Sequence, residues 1–396
     1  MRLTAGVLLV AALAAPARGQ LAPVTDRNYA VEFYQGGVIG GSRVIGMGGA
    51  TVAVGEGAVG MPRNPASAAV RLATSRSRWD WDWNVDWLEA NPGTSDFDNN
   101  GLTDTDIEDT LSATGGLVIQ WRKWAFGISA EWQTYSVGIA GTPDKGAPQV
   151  ALTHVVVARS FLDQQLTVGL GVRGGSFTMF RDPPGGSRQQ LFTMSGAGPE
   201  VGVVWRPCAL DLRAGATAAA QLFSIGGEIA SGDYRPEDYG GYILPEKLVV
   251  PWELAVGAGY RFGGTRWNRR VAGDFRDERA LVLAADLLLT GATDEGHGVE
   301  AFVAKQLQPA GRTAVLSVRG GGEIEAVPGW LRVRGGSYWE PSRFAGVDGR
   351  VHGTAGLDGR LWSFCLWGSP YRVRLSLTMD LARDYQNLGI SAGLWH

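Results

Sequence analysis

The sequence predicts an all-β protein, a transmembrane antiparallel β-barrel of about fourteen strands. Three observations carry this. Segments such as Tyr371–Leu381, reading YRVRLSLTMDL, alternate strictly between apolar and polar residues, which is the period of a strand with one apolar and one polar side. After a short apolar run near the start, no stretch approaches the roughly 18 apolar residues of a spanning helix. Glycine supplies 58 of 396 residues and tryptophan 15, and that glycine share is about twice the ordinary one.

Taken in order, residues 1–19 read as a secretory signal peptide. Arg2 gives the positive end, Val7–Ala15 the apolar run, and Ala17-Arg18-Gly19 the small-residue cleavage site. Charged residues make up 19% of the chain and balance to a net charge of -3, which argues against a nucleic-acid partner. Cys208 and Cys365 lie far apart in sequence and are read as two isolated thiols.

Next comes Arg43–Ala66, RVIGMGGATVAVGEGAVGMPRNPA. Its six glycines and two prolines predict a compact, irregular, tightly packed piece rather than a long helix or strand. Two elements in it, Gly46-Met47-Gly48-Gly49-Ala50 and the Asn64-Pro65-Ala66 turn, resemble the N-terminal plug of FadL-like outer-membrane transporters. Glu56 stands where that family carries an acidic residue between them. The resemblance implies a plug over residues 20–72 inside a barrel of residues 73–396, with Gly46, Gly48, Gly49, Asn64, Pro65 and Ala66 setting plug shape.

Strands are expected near 74–88, 114–122, 124–140, 147–159, 165–182, 189–206, 208–228, 243–262, 279–290, 313–326, 330–340, 350–366, 371–382 and 387–395. Fourteen is also the number the resemblance implies. Strands of such a barrel are about 9–11 residues long, and the sheet must close because lipid cannot satisfy an open edge. The even-to-odd connections are short except Gly263–Glu278, and the odd-to-even ones include the long pieces 89–113, 229–242, 291–312 and 341–349. That parity places both termini and the short turns on the inner side of the membrane. Reading Val299–Leu307 as part of a hairpin instead would give sixteen strands. Leu244-Pro245-Glu246 with Pro251-Trp252-Glu253 and Gly257–Phe262, and Leu331–Pro341, also resemble strands of the family.

The polar strand faces carry Asp80, Asp82, Asp86, Glu131, Asp211, Glu253, Asp286 and Asp380 against Arg122, Arg173, Arg213, Arg261, Arg332, Arg334, Arg372 and Arg374. They are expected inside, mostly as ion pairs that stiffen the wall and hold the plug. Inner-face glycines would leave room for that plug. Gly169–Gly174 spells a dinucleotide fingerprint, but it sits inside an alternating strand and fails the strand-to-helix context that motif needs.

Asp96, Asp98, Asn100 and Asp104 occupy positions one, three, five and nine of a calcium loop, with Gly101 at the turn position. Position twelve is Ile107 rather than glutamate. The readings are calcium in an outer loop or a solvated acidic loop, with Thr103 or Asp104 capping a short helix through Leu111. No cofactor is otherwise required. The four histidines lack metal spacing, and no nucleophile, base and oxyanion donor occur as a set, so no enzyme is expected. The resemblance implies passive uptake of hydrophobic small molecules across the outer membrane of a Gram-negative bacterium, long-chain fatty acids or aromatic hydrocarbons among them. FadL-like barrels also include docking partners of secretion or surface-motility machinery. The partners implied are outer-membrane lipid, a hydrophobic ligand and, on the second reading, other envelope proteins.

Overall fold

The computed structural model describes residues 21–33, 37–75, 77–90, 96–102, 107–138, 143–224, 234–271, 273, 275–366 and 368–395. The leader over 1–19 lies outside the described residues. Fourteen strands form the wall: β1 Trp79–Ala90, β2 Ile107–Trp121, β3 Trp124–Gly138, β4 Lys145–Phe161, β5 Leu166–Asp182, β6 Gln189–Trp205, β7 Leu212–Ala219, β8 Glu253–Phe262, β9 Leu281–Thr290, β10 Val315–Val327, β11 Leu331–Glu340, β12 Arg350–Leu366, β13 Ser369–Ala382 and β14 Tyr385–Leu394. Each pairs antiparallel with the next. The barrel closes where β14 meets β1, from Asn387 opposite Ala90 to Gly393 opposite Asn84.

Alternation decides which way each side chain points. Val85, Phe126, Val256 and Leu377 are 58%, 51%, 54% and 54% exposed, while Asp86, Asp286 and Asp380 are 1%, 3% and 0% exposed. An apolar exterior around a polar, filled interior is the inverse of a water-soluble barrel and suits a bilayer. Tyr371 and Val373 depart from this pattern. They lie on the apolar side of β13 yet are buried. Tyr371 packs on Trp81 at 5.8 Å between ring centroids and donates its hydroxyl to Asp80 at 3.1 Å.

Several boundaries differ from the sequence reading. No helix forms through Leu111, because Ile107–Leu111 already pairs with β3 around a bulge, and pairing satisfies its backbone. Thr103 and Asp104 lie outside the described residues. The strand expected over 243–262 begins only at Glu253, after Pro251, which has no N–H to give a central ladder. Lys247–Val249 pairs elsewhere. Of the strand expected over 208–228, the described residues form Leu212–Ala219 and a short piece, Phe223–Ser224, while 225–228 lie outside the described residues. The 291–312 segment is a single outer loop containing a short helix, Val299–Val303, so the wall has fourteen strands rather than sixteen. Arg122 sits exposed in a tight turn over the Trp121 ring, and Asp211 lies in a turn paired with Arg266, so neither belongs to the inner wall. Both cysteines are free thiols.

The chain start differs too. Ala30–Glu32 is the middle strand of a three-stranded parallel sheet between Lys247–Val249 and Gly296–Gly298. Both neighbours belong to long loops, so residues 21–33 cap the long-loop end of the barrel rather than the short-turn end. The Glu32 carboxylate takes Arg343 Nε at 2.7 Å and Nη2 at 2.9 Å. Beneath this cap Phe33, Phe177, Phe192, Tyr242 and Phe302 form one apolar cluster.

Candidate functional site

Residues 37–72 fill the lumen. The segment turns through a short helix, Ser42–Gly46, another at Gly57–Gly60, and a 3-10 turn, Pro65–Ala69. These are too short to stand alone in water. Glycines on both surfaces let plug and wall touch backbone to backbone. Gly48 has φ +60, and a Cβ on it would lie 2.8 Å from Ser337 N and 2.9 Å from Gly320 O. Opposite, a Cβ on Gly336 would lie 2.5 Å from Gly48 N. Gly46 rests against Gly356, and Gly49 (φ +74) against Arg319. At the other elbow, a Cβ on Gly169 would collide with Pro65 and Ala66, and one on Gly202 with the Asn64 side chain.

Asn64 is fully buried. Its Oδ1 accepts from Ala66 N at 3.0 Å, capping the 3-10 turn. Its Nδ2 donates to Val52 O at 2.8 Å and to Val203 O at 3.1 Å. Wall carboxylates meet plug amides in the same way: Ser42 N to Asp86 at 2.9 Å, Val52 N to Asp286 at 2.8 Å, and Ala58 N to Asp82 at 2.6 Å. Such charge-assisted bonds are stronger than neutral ones.

Ion pairs complete the attachment. Arg43 donates two bonds to Glu323, at 3.1 and 3.2 Å. Arg334 Nε reaches the same carboxylate at 2.5 Å and continues to Asp358. Glu56, the acidic residue between the two plug elements, lies 3.6 Å from Arg43 Nη1 and 2.5 Å from Arg213 Nη1. Arg374 donates to Ser42 Oγ at 3.0 Å. Burying such charges is tolerated because each has a partner and further hydrogen bonds.

Small gaps remain beside the plug. One of about 110 Å³ is lined by Phe33, Val38, Arg63, His154, Arg173 and Arg319 among others. A neighbour of about 40 Å³ shares Arg63, His154, Arg173 and Arg319. Their walls are charged and hydrogen-bonded: His154 Nδ1 is 3.0 Å from Glu200, and Arg173 Nη1 is 2.9 Å from Glu253. At the short-turn end, Trp267 of the long inner connection joins Met47, Ala50, Ala53 and Val54 of the plug in one apolar cluster.

The acidic outer loop is only partly described. Asp96 Oδ1 accepts from Asn100 N and Oδ2 from Gly101 N, each at 2.8 Å. Asn100 Nδ2 donates to Glu300 at 2.5 Å. Burial raises the Asp96 pKa above the usual carboxylate range. Asp98 lies in the same loop and is buried. Asp104 lies outside the described residues. Among the described residues no three of His, Cys, Asp and Glu converge to hold a metal ion.

Two arrangements were not anticipated from sequence. His352 lies between Asp380 and Glu340, at 2.8 and 2.5 Å, stacked on Tyr338. The Tyr338 hydroxyl accepts Val38 N at 3.0 Å, so this cluster also reaches the plug. The other is the covered short-turn mouth, for which the only sequence signal is a tryptophan in an unusually long inner connection.

No family model matches the chain, and no curated protein matches it. Solved structures do. A Pseudomonas aeruginosa FadL homologue superposes with a TM-score of 0.52 at 13% identity, over 91% of this chain and 99% of that one. The P. putida toluene transporter TodX gives 0.54 at 13%, over 91% and 98%. The CymD monoaromatic hydrocarbon channel gives 0.52 at 12%, over 90% and 96%. The chain therefore shares the fold of these proteins along nearly its whole length.

Proposed function

We propose that this protein is an outer-membrane channel for passive uptake of hydrophobic small molecules, with residues 37–72 as its gate. The observation that carries the reading is the plug itself, seated by discrete bonds in a barrel of the fold shared with TodX and CymD. One of those proteins is titled a toluene transporter and the other a monoaromatic hydrocarbon channel. Gly46, Gly48 and Gly49 at one elbow and Asn64, Pro65 and Ala66 at the other set the plug's shape, so a shift at either would join the gaps beside it. The apolar cluster under the cap supplies surface that a hydrophobic solute entering from outside can replace. Aromatic hydrocarbons and long-chain fatty acids are both within this class.

The number of bonds fixing the plug favours a second reading, a sealed barrel that docks protein partners of an envelope machinery. Native mass spectrometry of the gently purified barrel separates the two. Uptake expects a co-purified apolar molecule in the lumen. A stably bound protein on a barrel with an empty, sealed lumen overturns it.

For the outer loop, we propose calcium as the ion that Asp96, Asp98, Asn100 and Asp104 would hold. Protease cutting within residues 89–113 should then speed up on adding chelator and slow on adding calcium. Equal rates in both remove the proposal.

A further inference from the structure

Beneath the plug, at the short-turn mouth, lies a cavity of about 120 Å³. It is separate from the gaps beside the plug and has a different electrostatic character. Nine arginines and four carboxylates line it. The carboxylates are already engaged. Glu56 and Glu323 serve Arg43, Arg213 and Arg334. Glu325 serves Arg332, and Asp277 serves Arg372. Arg261 finds its partner in Glu278.

Arg206 is left over. It is 5% exposed, its Nη2 donates to Gln164 O at 2.8 Å, and its buried Nε has no partner. No described carboxylate lies within ion-pair distance of it. Arg276, also in the lining, is held by three carbonyls, those of Trp267, Arg266 and Arg269 at 2.9, 3.1 and 2.9 Å. It too has no described carboxylate within ion-pair distance, although the charges of Glu56 and Glu278 reach it. A buried guanidinium with no carboxylate in direct contact is costly; burial, with nearby Arg213 next, pushes the Arg206 pKa down to about 9 against the smaller opposing pull of Glu56.

We propose that this mouth is a binding site for a small anion bearing a carboxylate or phosphate group, held by Arg206 and Arg276 of its lining. The planar guanidinium fork matches the oxygens of either group. The volume is that of about four waters at roughly 30 Å³ each, which fits a single anionic group and a short tail. Trp267, Phe275 and Trp395 in the lining offer that tail apolar contact. The site does not depend on what crosses the lumen, so it stands or falls separately from the uptake reading.

The test is isothermal titration calorimetry of the whole barrel in a non-ionic detergent at low salt, with sodium phosphate and sodium butyrate in separate runs. One saturable site per chain is expected for at least one of them, weakened tenfold or more by Arg206→Gln. Arg188→Gln removes an exposed arginine paired with Asp182, away from the cavity lining, and should leave binding unchanged. Phosphate alone binding identifies a free oxyanion as the ligand. Tighter butyrate identifies a carboxylate with an apolar tail. If Arg206→Gln fails to fold, as judged by heat-modifiable migration, Arg276→Gln carries the same expectation. Absence of binding by both anions, or unchanged binding by the folded variant, overturns the proposal.

Discussion

Asn64 Nδ2 donates to the carbonyl of Val203 at 3.1 Å, joining the plug to a wall strand 139 residues further along the chain. The same side chain holds Val52 and caps its own turn. One amide therefore fixes the turn, the plug's internal fold and its seat on β6 together.

Asn64→Leu should release all three at once. Leaving Ala66 N and the two carbonyls unpaired in a buried site is expected to cost about 1–3 kcal/mol. Hydrogen exchange should then quicken in plug amides while the wall strands stay protected. Equal exchange in plug and wall would show that Asn64 is not the tether.

Wall glycines supply a complementary test. A Cβ on Gly202 would collide with Asn64, whereas one on Gly359 meets nothing within 4 Å. Gly202→Ala is expected to displace the Asn64-Pro65-Ala66 turn and raise basal conductance in planar bilayers. Gly359→Ala should conduct as the unaltered protein does. Identical traces from both would mean that the plug tolerates the crowding without moving.

Most of the wall is legible in the sequence because the signal is local. Alternation in Tyr371–Leu381 or Trp124–Gln133 sets strand and face at once, and parity of loop lengths sets the ends. What stayed hidden is non-local. Lys247–Val249 looks like a continuation of β8, yet it pairs with Ala30–Glu32, more than two hundred residues earlier. Nothing within either segment encodes that partner. The plug glycines were visible as a cluster, but their use depends on facing glycines in β5, β6, β10, β11 and β12. Arg206 could be read as an ordinary turn arginine, because its isolation is a property of the pairs formed around it.

Leu375→Arg tests the lipid face. It places a charge on the outward side of β13 and should cost roughly 2–4 kcal/mol in folding into bilayers. The inward neighbour Thr378 is buried and its hydroxyl lacks a partner, so Thr378→Val should cost under about 1 kcal/mol. Folding titrations in urea with lipid vesicles measure both. Equal losses would overturn the assignment of faces. Arg374→Leu is a poorer control, because Arg374 is bonded to Ser42 of the plug as well as to the wall.

The outer cap should open in alkali before the wall does. Tyr29, Tyr234 and Tyr242 donate their hydroxyls to Ile243 O, Tyr242 O and Val303 O. Burial raises all three phenol pKa values. A phenol held neutral in the folded state contributes stability that is fully present below its ordinary pKa of about 10. That contribution is lost as pH climbs from there towards the raised value, since the unfolded form ionises first. Digestion with an alkali-tolerant protease should therefore cut within 234–250 much faster at about pH 11 than at about pH 8, each rate scaled to a model peptide. The barrel should keep its heat-modifiable migration throughout. Equal scaled rates at the two pH values would show that these phenols do not hold the cap, and simultaneous loss of the barrel would show that cap and wall unfold as one unit.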